Sequence, residues 1–251
     1  MPAQHVAPRE YLIVTIARLL SGCRHVAVGA ASPIPAAGAM LLRALHADAG
    51  APVRVSVLGS VAHNFFTNGG VELFDCAAQG RIDAFFLGGG QIDGQGNINL
   101  VGIGDHAAPR VRWPGSFGSS HLAFVVPRII LFREEHSRRV LVDRVDFVSA
   151  PGTGPQGVFR TGGPRALVTG KAHFLFDPAL GRFRLETIHP GHTLAEIIET
   201  TGFCFDHAAD PPPTAPPDAR TLDLLRSRVL DELAETYPTF AASLQREMAG
   251  G

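Results

Sequence analysis

The sequence predicts an α/β fold with an open, mainly parallel sheet that is covered by helices on both faces. Short apolar stretches alternate along the chain with longer stretches in which apolar residues recur at helical spacing. Gly-rich segments follow several short stretches, as expected of the loops that gather at the carboxyl ends of parallel strands. With 45% hydrophobic residues in a chain of 251, the protein can bury a substantial core.

The first part of the chain supplies this alternation. Helices are expected over residues 10–20, 36–46 and 71–79. Strands are expected over residues 25–30, 53–58, 83–87, 128–132 and 145–149. Because helices separate the strands, right-handed crossovers would align the strands in parallel and cover both faces of the sheet.

The later part of the chain has a different pattern. Strands are expected over residues 166–175 and 182–187, on either side of a turn at Asp177-Pro178. The Pro-rich residues 210–217 predict a stiff, extended connector.

An amphipathic helix is expected over residues 222–235, either on the outside of the domain or against a partner. We therefore predict one domain over residues 1–235, followed by a C-terminal tail over residues 236–251.

Composition excludes several kinds of function. The formal net charge is -1, which argues against a general nucleic-acid-binding protein. Lys171 is the single lysine in the sequence and lacks the context of a phosphate-binding P-loop. A Schiff-base enzyme would have to use this one residue.

The cysteine and hydropathy patterns bear on where the protein is located in the cell. Three widely separated cysteines imply neither a disulfide framework nor a zinc ribbon, and His189 and His192 are typical of a structural turn more than of a metal site. No apolar run reaches the ~20 residues that cross a bilayer, and the first residues lack a secretory signal. We expect a cytoplasmic protein that binds no membrane and no metal.

The most informative segment begins with Gly88-Gly89-Gly90, directly after the predicted strand 83–87. Three consecutive glycines let a ligand or another part of the backbone approach closely. The side chains of Gln91, Asn97 and Asn99 follow, and such amides can hold a carbonyl oxygen or an oxyanion without adding charge. The alternative is an ordinary tight turn, for which Asp93-Gly94 is sufficient.

This segment and others resemble the β subunit of family I CoA-transferases of the glutaconate CoA-transferase type. The resemblance rests on short motifs that occur in the family's order. They are E-L-F-D at 72–75, G-R-I-D at 80–83, Q-I-D at 91–93, G-N-I-N at 96–99, W-P-G-S-F-G-S-S at 113–120, R-R-V at 138–140 with V-D-F-V-S-A-P-G at 145–152, and I-H-P-G-H-T at 188–193.

The resemblance implies an α subunit of related fold as partner, with the active site between the two subunits. It implies an acyl-CoA thioester as substrate and no permanently bound cofactor. Asn99 and Gly118 would be catalytic, stabilising an oxyanion through the side-chain amide and the backbone N–H. The substrate would be bound by Ser32, Gly89, Gln91, Asn97 and Gly115.

The sequence departs from the family at one position that matters. The family's β-subunit glutamate, which attacks the acyl-CoA carbonyl, follows the strand that corresponds to residues 53–58. Here that stretch continues as Leu58-Gly59-Ser60, and no glutamate occurs between Glu10 and Glu72.

The β subunits of steroid ring-cleaving CoA-ester hydrolases also lack this glutamate, so the resemblance favours a hydrolase of that kind. The alternatives are a CoA transferase whose nucleophile lies elsewhere and a noncatalytic scaffold subunit. A relative of the sugar-phosphate isomerases, which share the broad fold, is less compatible with the motifs.

Overall fold

A seven-stranded sheet forms the centre of the protein, in a computed structural model that describes residues 5–47, 50, 52–155 and 157–250. Its strands are β1 (His25–Val28), β2 (Arg54–Val57), β3 (Ala84–Leu87), β8 (Arg128–Arg133), β9 (Pro164–Thr169), β10 (Ala172–Asp177) and β11 (Arg182–Ile188). The order is β11-β10-β9-β8-β3-β1-β2. The five strands from β9 to β2 run parallel, and β10 and β11 add an antiparallel edge.

Two small antiparallel pairs lie outside this sheet. They are formed by β4 (Gln91–Ile92) with β5 (Ile98–Asn99) and by β6 (Gly102–Ile103) with β7 (Val111–Arg112). Both pairs belong to the long excursion between β3 and β8, which are neighbours in the main sheet. This excursion therefore lies at the carboxyl end of β3.

The helices are α1 (Pro8–Leu19), α2 (Pro33–His46), α3 (Gly69–Ala78), α4 (Ser119–Val125), α5 (Leu194–Thr200), α6 (Ala219–Leu224), α7 (Leu230–Thr236) and α8 (Pro238–Ala249). One π-helical turn, Leu225–Val229, joins α6 to α7. Each described helix is too short or too polar to cross a lipid bilayer.

Alternate residues of the central strands enter two separate cores, one on each face of the sheet. Val26 and Phe86 pack with α1, α2 and the C-terminal helices. Ala27 and Phe85 pack with α3, α4 and the β4–β5 pair. This is the three-layer arrangement that the sequence predicts, and the strands are apolar because both of their faces are buried.

Four predicted features differ from the structure. Residues 145–149 form no strand, and Val148 is half exposed. The predicted strand 166–175 is two strands, β9 and β10, joined by a turn at Gly170-Lys171. A continuous apolar stretch does not reveal a two-residue turn of this kind.

The C-terminal region also differs. The predicted helix 222–235 is interrupted by the π-helical turn Leu225–Val229. It is amphipathic as predicted, since Leu225 and Leu233 pack in the core that contains α2 while Arg228 is exposed. The predicted tail is largely the helix α8, whose Ala241 and Leu244 enter the same core. A Pro at its start and apolar residues at helical spacing are the sequence signals for this helix.

Candidate active site

The carboxyl ends of the parallel strands bring four loops to one edge of the sheet. These loops follow β1 (residues 29–32), β2 (58–63), β3 (88–90) and β8 (134–137). Neighbouring loops touch, since an added Cβ on Gly59 would lie 3.6 Å from Ala30 Cβ. Ligands of open α/β sheets bind at this edge.

A cavity of about 660 Å³ opens between the loops that follow β1, β3 and β8, a size typical of small-molecule sites. Its walls are mainly apolar, with Phe86, Phe132 and Phe240 contributed by β3, β8 and α8. Ser32, a predicted substrate-binding residue, also lines the cavity. Phe240 shows that the C-terminal helix completes the wall.

Charged groups line part of the same cavity. Arg9 Nε donates to Glu134 Oε1 at 2.8 Å. Hydrogen bonds from Arg139 and Ser137 lower the pKa of Glu135. These residues are not among the predicted site residues, although Glu134 and Glu135 closely follow the expected strand 128–132 and are detectable on that ground.

The predicted amide donors form a closed network in the turn beyond β3. Asn99 is fully buried, and its Nδ2 donates to Gln91 Oε1 and to Gly102 O, both at 2.7 Å. Asn99 Oδ1 accepts from the Val101 N–H at 2.9 Å. The Asn99 amide therefore holds the turn together. Its contact with an oxyanion stays a prediction, and it would require Asn99 Nδ2 to give up one of these two hydrogen bonds.

A buried carboxylate organises the other half of this turn. Asp93 Oδ1 accepts from the N–H groups of Gln95 and Asn97, and Asp93 Oδ2 accepts from Asn97 Nδ2 at 3.0 Å. Asn97 Oδ1 accepts from the Gly152 N–H at 3.0 Å. Both the nitrogen and the oxygen of the Asn97 side-chain amide thus have partners within the protein. Its role in binding substrate remains a prediction.

The glycines of this turn are required by close packing. A Cβ on Gly89 would lie 2.5 Å from Gln91 O, and a Cβ on Gly90 would lie 2.1 Å from the indole of Trp113. Gly88, which lines the cavity, connects the turn to β3. The predicted residues Gly89 and Gln91 therefore follow Gly88 in the chain but do not line the cavity.

The two other predicted glycines lie in the loop before α4. The Gly115 N–H donates to Leu100 O at 3.2 Å, whereas the Gly118 N–H meets no acceptor in the described part of the chain. Gly118 has a φ of +70°, and Phe117, with a φ of +38°, exposes its ring beside Phe74. Of the two, only Gly118 offers an unoccupied backbone donor.

The loop after β2 holds a carboxylate that comes from elsewhere in the chain. Glu235, at the end of α7, accepts hydrogen bonds from Ser60 Oγ at 2.7 Å and from the Val61 N–H at 2.8 Å. Sequence reasoning missed Glu235, because 175 residues separate it from Ser60.

Three histidines are buried, and one of them, His136, belongs to the loop after β8. His136 Nδ1 and Nε2 each lie within 3.0 Å of a threonine hydroxyl, and His189 Nδ1 lies 2.8 Å from Thr214 Oγ1. Burial lowers the pKa of His136, His173 and His189 to about 4. The described residues contain no group of three or more potential metal ligands.

Known proteins with this fold and similar sequence include CoA-transferases and related enzymes. A 3-oxoadipate CoA-transferase subunit of Pseudomonas knackmussii is 35% identical over 156 residues, which is 59% of each chain. The cholesterol ring-cleaving hydrolase IpdB subunit of Rhodococcus jostii is 30% identical over 164 residues, 64% of each chain. The matches therefore span less than two thirds of these curated relatives.

The fold extends the similarity along nearly the whole chain. The crystal structure of glutaconate CoA-transferase from Acidaminococcus fermentans superposes with a TM-score of 0.76 and 25% identity, over 89% of this chain and 95% of that one. The coenzyme A transferase family model matches residues 12–200. That segment contains all the strands of the central sheet, so the chain belongs to the coenzyme A transferase family.

Proposed function

We propose that this chain is the β subunit of a heteromeric hydrolase that acts on acyl-CoA thioesters, of the type that cleaves a carbon–carbon bond in a cyclic β-keto acyl-CoA. One observation carries the choice of hydrolase over transferase. Residues 58–68, between β2 and α3, contain neither Asp nor Glu. A CoA transferase of this family would use a carboxylate there as its nucleophile.

The similarity to IpdB supports the same choice, because IpdB is a subunit of a cholesterol ring-cleaving hydrolase. The cavity at the carboxyl edge suits such a substrate, since its aromatic walls can hold an alicyclic acyl group. The thioester is the substrate in this proposal, and no bound cofactor is invoked.

An exposed apolar face supports a partner subunit. Val71 on α3, Phe117 before α4 and Phe124 on α4 are exposed, and Phe117 reaches 70%. Phe159, 85% exposed, precedes Arg160, whose guanidinium packs over the Phe124 ring. Apolar surface of this kind marks protein interfaces, and we assign it to the α subunit.

A cytoplasmic location completes the proposal. The three cysteines are free, and Cys23 is buried without a disulfide partner. Unpaired cysteines fit a reducing compartment.

The reaction class is tested with the complex of this chain and its α subunit, given a cyclic β-keto acyl-CoA and an acceptor acid. Ring cleavage adds one water to the substrate and leaves CoA attached, thioester hydrolysis releases CoA, and transfer moves CoA to the acceptor. Mass spectrometry of the products separates the three. We expect ring cleavage, and a new CoA ester of the acceptor would refute the proposal.

Chemical trapping tests the transferase alternative from the protein's side. Hydroxylamine or borohydride is added during turnover, and both subunits are digested. A modified glutamate would show a covalent intermediate and contradict a hydrolase that works without one. We expect unmodified glutamates in both subunits.

The scaffold alternative is tested by filling the cavity. Ser32 lines the cavity, and its side chain makes no capping hydrogen bond to α2, so its replacement removes no helix cap. Ser32→Phe should abolish activity of the assembled complex, whereas Ser32→Ala should keep it. Full activity of Ser32→Phe would support a noncatalytic scaffold.

A further inference from the structure

The junction between α7 and α8 touches two loops of the candidate active site. Glu235 Oε1 accepts from the N–H groups of Val61 at 2.8 Å and of Ala62 at 3.4 Å. Glu235 Oε2 accepts from Ser60 Oγ at 2.7 Å. Two residues later, Tyr237 Oη donates to Gly29 O, in the loop after β1, at 3.3 Å.

The contact gives the loop after β2 an attachment that its own sequence lacks. The loop turns back along β2, where the Val57 N–H donates to His63 O at 2.9 Å. The Ser60 hydroxyl oxygen accepts from the His63 N–H at 2.9 Å while its proton goes to Glu235. Ser60 therefore links His63, at the end of the loop, to the Glu235 carboxylate.

The chemistry of the contact argues against a reactive carboxylate. Hydrogen bonds from the hydroxyls of Thr236 and Ser60 and from the N–H groups of Val61 and Ala62 lower the pKa of Glu235 to about 2. A carboxylate whose charge is stabilised by four donors is a weak base and a weak nucleophile near neutral pH. Its contacts suit a group that holds the loop in place.

The contact also lies outside the segment that carries the family's sequence pattern. The family model ends at residue 200, and Glu235 belongs to the helices that follow it. The same helical region supplies Phe240 to the cavity wall, and Arg226 forms a two-point contact with the buried Glu10 of α1. These contacts anchor the C-terminal helices on the domain.

We propose that Glu235 is a positioning residue, which fixes the loop 58–63 in the conformation that the acyl-CoA substrate meets at the carboxyl edge of the sheet. The inference rests on the proposed function, which places the acyl-CoA at the carboxyl edge, where this loop adjoins the loop after β1. The carboxylate here comes from a C-terminal helix and orients the loop through Ser60, Val61 and Ala62, without forming a bond to the acyl group.

The test measures kcat and KM of the complex with the cyclic β-keto acyl-CoA for Glu235→Ala, Glu235→Gln, Ser60→Ala and the double variant Glu235→Ala/Ser60→Ala. Loss of a positioning contact displaces reacting groups, and such displacements cost up to ~10²-fold. We expect kcat to fall by roughly 10- to 100-fold in Glu235→Ala with KM little changed. Glu235→Gln should retain part of the activity, since its amide oxygen still accepts from the loop.

The double variant distinguishes positioning from general support of the fold. If Glu235 acts through Ser60, the double variant loses no more kcat than the more impaired single variant. Glu232→Gln is the matched control: it removes a carboxylate one turn earlier, where it binds Arg43 and Arg228 away from the loop, and should leave kcat unchanged.

Several outcomes would overturn the inference. Unchanged kcat in Glu235→Ala, independent and multiplicative losses in the double variant, or a trapped covalent adduct on Glu235 would each contradict it. If Glu235→Ala does not assemble with its partner, Glu235→Gln and Ser60→Ala decide in the same way. A wild-type complex inactive on every acyl-CoA would refute the proposed function itself, whereas an active wild type with unaffected variants refutes the positioning role only.

Discussion

Two loops at the same edge of the sheet reach their shape in opposite ways. The turn after β3 is built mainly from neighbours in sequence, because Asn99 finds its hydrogen-bond partners in Gln91, Val101 and Gly102. Residues 146 and 152 add bonds to Gln91 and Asn97. The loop after β2 contains no acidic side chain, and it is held by Glu235 from a distant helix.

The difference shows that an amide-rich turn in a ligand-binding region is not by itself a set of free donors. Both N–H bonds of the Asn99 side chain are taken inside the protein. The other loop has no carboxylate in its own sequence, and Glu235 reaches it through a contact that only the tertiary structure creates. A carboxylate at this edge of the sheet can thus come from a distant helix.

Lowering the pH should produce the largest effect, a loss in the free energy of unfolding of the whole domain. The pKa of His136, His173 and His189 falls from about 6.5 in the unfolded chain to about 4 in the folded protein. Above pH 6.5 these histidines are neutral in both states and do not lower the stability. As the pH falls from 6.5 toward 4, the unfolded chain binds protons that the folded protein does not, so the free energy of unfolding decreases. We expect a loss of about 2 kcal/mol per histidine between pH 7.5 and pH 5.

Urea unfolding at the two pH values measures this loss. His173→Leu should reduce the difference. Equal free energies of unfolding at pH 7.5 and pH 5 would contradict the burial of neutral histidines. The comparison of the two loops should then be made at pH 7.5, where the fold is intact.

Asn99→Ala should break the turn after β3. The change leaves Gly102 O and the Val101 N–H without their partner in a buried site, and we expect a loss of about 3 kcal/mol in the free energy of unfolding. Chemical denaturation measures it, with the exposed Gln95→Ala as the control. A stable Asn99→Ala chain with reduced kcat would instead assign Asn99 to direct catalysis.

Gly90→Ala should disturb the same turn by a smaller amount. The new methyl group would overlap the indole of Trp113, the single tryptophan of the chain, at a cost of about 1–3 kcal/mol. Because no other tryptophan contributes, a red shift of the intrinsic emission reports the displaced ring directly. Gly154→Ala, where an added Cβ meets only ordinary contacts, is the control, and an unshifted spectrum for Gly90→Ala would contradict the packing described above.

Much of the fold could be predicted from the sequence because buried parallel strands are short apolar stretches between helices. The prediction fails at residues 145–149, where alternating apolar residues resemble a strand. There the Asp146 carboxylate accepts hydrogen bonds from the Gly104 N–H and from Gln91 Nε2, and the segment forms no strand. It fails again at residues 236–251, where the predicted tail is largely the helix α8.

The site was predictable only where its parts follow strands. Ser32 and the Gly88–Gly90 stretch were found by that rule, and Glu134 and Glu135 could have been. Arg9, Phe240 and Glu235 could not, since each reaches the site from a terminal helix through contacts between residues far apart in sequence. The saturation of the Asn97 amide likewise depends on the Gly152 N–H, which is 55 residues away in sequence.

The most direct test of a hydrolase without a covalent carboxylate is a single turnover of the complex in ¹⁸O-labelled water. We predict one labelled oxygen in the carboxylate of the ring-opened product, with CoA still attached and no label in any glutamate of either subunit. Label in a glutamate side chain, or an unlabelled product with CoA moved to an acceptor acid, would contradict this account.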